Sequence, residues 1–306
     1  MESFLIVLLT FLSLSQAVVS HAASPAQLYW ESKLPNTPMP RSIQEFLPEA
    51  DYSAQGGANL FLASGGVMKS RTFAYKHAGT DEELAASSNA DIFFFEHQLK
   101  PGTKLKVQFS TTIRKAKFIP FSVAKTMPMS SKDLPQLLAR LSITPTSAAA
   151  RVVNQTINDC ATPSVSGEPE LCAASLEQMV DFSLKKLGND DIQVKSTQVE
   201  KVDRAIQEYT IQEGVERFAG SKTVACHAKN FAYPMFMCHA AATTRAYSVP
   251  LVGANGSKVN AMVACHTNTA RWNPKNLAFQ MLKVTPGSVP VCHFLPEDHI
   301  MWGTSK

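Results

Sequence analysis

The dipeptide Cys-His occurs four times in the last third of the chain, at Cys226-His227, Cys238-His239, Cys265-His266 and Cys292-His293. The chain holds only six cysteines and eight histidines, for which random placement gives roughly 0.16 such pairs. Successive side chains on a strand point to opposite faces, so the sulfur and the imidazole of one dyad do not easily reach the same ion. A chain with this pattern is expected to staple one face of its strands through sulfur while the other face presents imidazoles to a common site.

The state of the sulfurs depends on the compartment. Phe4 to Leu14 is an apolar run of signal-peptide length, too short for a membrane span, and small residues Ser20, Ala22 and Ala23 follow it. We read residues 1–22 as a cleaved secretory signal, although Met1-Glu2-Ser3 lacks the usual Lys or Arg. No later segment is apolar for long enough to span a bilayer. The mature protein is expected to be soluble and extracellular or vacuolar, and its cysteines to be oxidised. Cys160 and Cys172 stand apart from the dyads, with Pro163, Gly167 and Pro169 between them, and are expected to pair with each other. The four dyad cysteines allow three pairings, among which the sequence does not choose.

Residues 23–90 are rich in Pro and Gly and read as an extended leader. From Asp91 the texture changes. "DIFFFEHQLKPGTKLKVQF" reads as a hairpin turning at Pro101-Gly102. "SSKDLPQLLARL" and "SLEQMVDFSLKKLG" carry helical apolar spacing, the second with a capping box at Ser175 and Gln178 and a stop at Gly188. "KTVACH", "YSVPLVGANGSKVNAMVACH" and "LAFQMLKV" read as strands, with a type I′ turn at Asn255-Gly256. The class expected is α+β, mainly antiparallel sheet with a few amphipathic helices. Hydrophobic residues make up 45% of the chain, enough for a real core, and a net charge of +4 is scattered rather than clustered, which gives no support for nucleic-acid binding. Asn154 and Asn255 head Asn-x-Ser/Thr glycosylation triplets.

Four imidazoles in identical contexts point to a metal. With the thiols oxidised, a nitrogen-rich site favours Cu(II), with zinc second; with the thiols reduced, two Cys₂His₂ zinc sites would be the rival. P-loop, GxGxxG, GxSxG and HExxH motifs are absent, and Asp298-His299 has no convincing Ser partner for hydrolysis.

Ten residues separate the first dyad from the second, and twenty-five separate each later pair of dyads. This CH-x10-CH-x25-CH-x25-CH spacing resembles that of the plant BURP-domain family. "FFFE", Cys160 and Cys172, "SLEQMVDF" and "HFLPEDHIMW" are similar to that domain over residues 91–303. "YWESKLPNTPMP" resembles the segment after the signal in the short-leader dehydration-responsive and unknown-seed-protein types. The resemblance implies a secreted plant protein linked to stress, development or the cell wall, with His227, His239, His266 and His293 as copper ligands and the adjacent cysteines as the disulfide staple. His299 lies outside the dyads and is expected to be a solvated surface residue, at most an auxiliary ligand. Some members are copper- and oxygen-dependent peptide cyclases, so the alternative is crosslinking of Trp or Tyr in a core peptide. The nearest core candidate in this chain is Gln27-Leu28-Tyr29-Trp30; a separate peptide is the other possible partner, beside cell-wall components.

Overall fold

The computed structural model describes residues 23–48, 78–111, 117–161, 170–188, 191–200, 205–220 and 222–305. The signal-like run and residues 49–77 lie outside them. The fold is α+β with antiparallel sheets, the class expected from the sequence.

Five strands form one sheet in the order β3 (Glu170–Ala173), β9 (Met235–Ala240), β8 (Thr223–Lys229), β13 (Ile300–Thr304) and β4 (Ile192–Lys195). The second sheet runs β1 (Phe94–Phe95), β12 (Val291–Phe294), β11 (Lys258–His266), β10 (Thr244–Gly253), β6 (Gln207–Ile211) and β2 (Lys104–Val107). The short strands β5 (Gln198–Val199) and β7 (Glu216–Phe218) pair with β11 and β10. The dyads therefore occupy two neighbouring strand pairs, one in each sheet: β8 with β9, and β11 with β12.

In both pairs the cysteines stand directly opposite one another. Cys226 faces Cys238 and Cys265 faces Cys292 in the register, with Cα separations of 3.9 and 4.0 Å, and each pair is a disulfide. Cys160 at the end of helix α6 (Ala148–Ala161) bridges to Cys172 on β3, as expected. Antiparallel register thus makes the choice among pairings that spacing leaves open.

Each dyad disulfide lies within a separate core. Cys226 and Cys238 pack with Trp30, Ile43, Phe46, Phe236 and Trp302, beneath α1 (Pro25–Lys33), α2 (Arg41–Gln44) and α7 (Leu176–Leu187). Cys265 and Cys292 pack with Phe94, Phe109, Tyr209, Val249 and Phe294. The second sheet curls around this cluster, so that the Asp91 N–H, ahead of β1, donates to the Lys106 carbonyl of β2 at 2.7 Å. A third cluster takes Ala225 and Met301 from one sheet and Ala246, Met262 and Ala264 from the other. It is the contact between the sheets, and its residues share strand parity with the dyad histidines.

Three local expectations are corrected. The leader is not merely extended: Trp30, Leu34, Ile43 and Phe46 are buried in the first core, because an aromatic residue on an α1 face finds Trp302, with ring centroids 5.5 Å apart. Residues 94–107 do not pair as a hairpin. β1 joins β12 while β2 joins β6, because Phe94 and Leu105 fill the same core from opposite edges of the sheet. "LAFQMLKV" is not a strand. Leu277–Leu282 forms helix α8, whose Asn276 side chain accepts from the Ala278 N–H and whose end is a left-handed Lys283.

Caps explain other boundaries. Ser175 accepts from the Gln178 N–H, while the Gln178 side chain reaches back to Ala174 rather than closing a box on Ser175. At the β10–β11 turn Gly256 alone has positive φ, 80°, and its N–H donates to the Gly253 carbonyl. Ala254 and Asn255 are thus the central turn residues, and the expected type I′ turn, which needs two positive φ values, does not form.

Candidate metal centre

Antiparallel pairing places the two histidines of a strand pair diagonally. His227 on β8 stands opposite Met237, and His239 on β9 stands opposite Ala225. Their rings stack, with Nε2 atoms 3.1 Å apart. The second sheet repeats the arrangement: His266 stands opposite Val291, His293 opposite Ala264, and the Nε2 atoms lie 3.3 Å apart.

The outer nitrogens are also held in matching ways. His239 Nδ1 donates to the Ala240 carbonyl at 3.0 Å and His293 Nδ1 to the Phe294 carbonyl at 3.1 Å. His266 Nδ1 lies 3.1 Å from Thr244 Oγ1, and His227 Nδ1 lies 3.1 Å from His299 Nδ1. Aromatic rings wall the second pair, with Trp272 edge-on to His266 at 5.0 Å and Phe93 to His293 at 6.3 Å.

Burial dominates the electrostatics. It pushes His227 and His266 well below the ordinary imidazole value, and the neighbouring imidazoles push in the same direction. His227 is influenced by His299, His239, His293 and His266, and His266 by His293 and His239. Both pairs lie on the strand faces that meet in the third cluster, since Ala225 and Ala264, the register partners of His239 and His293, belong to it. Burial likewise lowers His293 to about 4, and lowers His299 to about 3 with help from His293 and Lys229. These four rings are neutral at physiological pH and can offer lone pairs.

All four dyad histidines are brought together, but as two pairs rather than one common point. Among the described residues no group of three or more His, Cys, Asp or Glu side chains could hold one ion. The paired nitrogens do fit a shared ion. Two ligands at about 2.0–2.1 Å from a metal stand roughly 2.9 to 3.4 Å apart when their angle at the metal runs from square to tetrahedral, a range that includes both observed separations.

His299 departs from expectation. It is half-buried and in contact with His227, not a solvated surface residue. It lies just before β13, which pairs with β8, and this register brings it to His227. No spacing in the sequence carries that information, and Thr244 and Trp272 were unrecognisable for the same reason.

The remaining motifs are accounted for structurally. Glu96 of "FFFE" accepts from Arg245, with Nε at 2.6 Å, and from the Tyr247 hydroxyl at 2.6 Å, which ties the chain after β1 to β10. The Arg245 hydrogen bond holds the Glu96 carboxyl below its ordinary value. Trp30 of the core-peptide candidate is buried, with its Nε1 donating to the Thr37 carbonyl at 3.0 Å, and Tyr29 donates to Asp181. Asn255 is exposed at the turn tip, whereas Asn154 is half-buried on α6 and the Thr156 hydroxyl of its triplet donates to the Asn230 carbonyl at 2.7 Å.

The fold and the site define a disulfide-stapled two-sheet protein with paired histidines at the contact between its sheets. Residues 92–304 match the BURP domain model, and the chain belongs to the BURP-domain family of plant proteins. It is similar to BURP domain-containing protein 3 of Oryza sativa subsp. japonica, with 45% identity over 76% of this chain and 55% of that protein. BURP domain-containing protein 5 of the same plant is 40% identical over 95% of this chain and 90% of its own length. BURP domain protein RD22 of Arabidopsis thaliana is 42% identical over 75% of this chain and 60% of that protein. The chain thus matches little more than half the length of two of these relatives. No helix among the described residues is long and apolar enough to cross a membrane.

Proposed function

We propose that this chain is a secreted BURP-domain protein in which His227 with His239, and His266 with His293, hold copper as Cu(II). It acts in the apoplast, cell wall or vacuole in a stress, developmental or wall context. The observation that carries this reading is the pair of Nε2 separations, 3.1 and 3.3 Å, between rings whose outer nitrogens are already engaged. Such outer contacts orient ligating imidazoles and fix their tautomers. The three disulfides support an oxidising compartment.

Bound copper supplies one-electron redox chemistry and Lewis acidity. The chain supplies orientation: the carbonyls of Ala240 and Phe294 fix one ring of each pair, and the disulfides on the opposite strand face fix the strand spacing. Burial of His266 and His293 keeps water from competing for their nitrogens.

Metal analysis of the purified, copper-loaded full chain tests the reading. Each of His227→Ala, His239→Ala, His266→Ala and His293→Ala is expected to lose roughly half of the bound copper or more, since one ligand of a pair is gone, while all disulfides persist. Absence of copper from wild type, or unchanged content in all four variants, overturns it; zinc in its place would keep the ligands and change the metal. A loss of two hydrogen masses on a separate Tyr or Trp peptide incubated with the copper form and dioxygen would make the protein a cyclase acting on that partner.

Secretion carries its own expectation. Asn255, exposed at the turn tip, should carry glycan in a eukaryotic host, so Asn255→Gln should migrate faster than wild type. Equal migration counts against it.

A further inference from the structure

The hydrogen bonds around the two pairs form directional chains. A carbonyl only accepts, so His239 Nδ1 and His293 Nδ1, at 3.0 and 3.1 Å from the Ala240 and Phe294 carbonyls, both carry hydrogen. A neutral imidazole carries one, which leaves a lone pair on Nε2 of each ring. The facing Nε2 atoms of His227 and His266 must then donate, and their Nδ1 atoms must accept. The partners at those positions are His299 Nδ1 and Thr244 Oγ1, each at 3.1 Å. One chain runs from His299 through His227 and His239 to a carbonyl; the other runs from Thr244 through His266 and His293 to a carbonyl.

In this state the space between each pair of Nε2 atoms holds a hydrogen, and a cation needs both lone pairs instead. We propose that His299 and Thr244 are positioning residues that let His227 and His266 exchange tautomer, so that each pair opens to a metal ion without changing its charge. The proposal rests on the reading of the pairs as metal ligands. For the first pair, His227 moves its hydrogen from Nε2 to Nδ1 and donates to His299 Nδ1, and His299 then keeps its own hydrogen on Nε2. Three N–H hydrogens are present before and after. For the second pair, His266 moves its hydrogen to Nδ1, and the Thr244 hydroxyl turns from donor to acceptor. Two N–H and one O–H hydrogens are conserved.

Both partners are amphoteric, and an amphoteric group at these positions is what the exchange requires. A backbone carbonyl or a Lys could serve only one of the two states. The chemical difference matters too: Thr244 stays neutral by rotation alone, whereas His299 shifts a hydrogen within its own ring.

Zinc, a redox-inert and diamagnetic probe, tests this with the full chain. Affinity is measured by competition with a chromogenic chelator, and the tautomers of His227 and His266 from their ¹⁵N shifts with and without zinc. His299→Ala and Thr244→Val are expected to weaken zinc binding by about 10- to 100-fold, as loss of such partners typically does, whereas His299→Gln and Thr244→Ser stay within about threefold. In wild type, His227 and His266 should change from hydrogen on Nε2 to hydrogen on Nδ1 when zinc binds. Wild-type affinity in the Ala and Val variants, equal losses in the Gln and Ser variants, or hydrogen on Nδ1 in the metal-free state would overturn the proposal. If wild type binds no metal, the ligand reading fails, and the metal-free tautomers alone decide whether His299 and Thr244 direct the chains.

Discussion

Replacing Cys265 and Cys292 together by Ala should destabilise the protein by about 3.5 kcal/mol, against about 2.8 kcal/mol for the Cys226 and Cys238 pair. The difference follows from loop length, since the first bridge spans 27 residues and the second 12. Both pairs are fully buried, so lost sulfur packing adds to the loss of chain constraint. At 2–4 °C per kcal/mol, typical of chains of 150–250 residues, the midpoint of the first variant should fall by about 7 to 14 °C. Because the sulfurs and imidazoles occupy opposite strand faces, what does fold should keep the paired imidazoles on which the proposed copper reading depends. Urea unfolding of the two double variants beside wild type is the check. A loss below about 1 kcal/mol in both would mean that the register alone holds these strands.

The dyads were legible because strand alternation is local. It requires only extended backbone to send Cys265 inward and His266 to the other face, and the sequence around Val259 to Cys265 shows that alternation. The pairing of the four cysteines was not legible, because it depends on which strands become neighbours. The same limit hid the division of the imidazoles into two pairs, and it hid Thr244, which reaches His266 only because the β10–β11 register sets the two residues opposite. Nothing local places His299 against His227, because a lone histidine ahead of a strand carries no periodicity and only the β8–β13 register brings the two together. "LAFQMLKV" failed for a different reason: a short apolar run suits strand or helix equally, and packing of Ala278 and Phe279 against Trp272 and Phe93 decided for helix.

Acid should unfold the metal-free protein well before its carboxylates would. A histidine buried as the neutral form has a folded pKa below its unfolded one, so between the two values the unfolded chain binds more protons and stability falls as pH falls. For His293 that window runs from the ordinary 6.5 down to about 4. Its contribution alone is a loss of roughly 2.5 kcal/mol between pH 7 and pH 4.5. His227 and His266 are lowered in the same direction and add to it, while His299, half-exposed, adds less than its value of about 3 would suggest. Glu96 adds little over this range, because the stabilisation from its lowered carboxyl is full above the ordinary value of 4.5 and is lost only as pH falls from there toward the folded value. Urea unfolding with chelator present, from pH 7 to 4.5, should therefore show a steep decline, and His293→Gln should make it shallower by up to about 1.4 kcal/mol per pH unit. A flat profile, or an equal slope in His293→Gln, would mean that water reaches these rings in solution. On the proposed copper reading, added metal should raise stability throughout this window, because a cation would bind the neutral imidazoles of the folded chain while protons compete for those of the unfolded one.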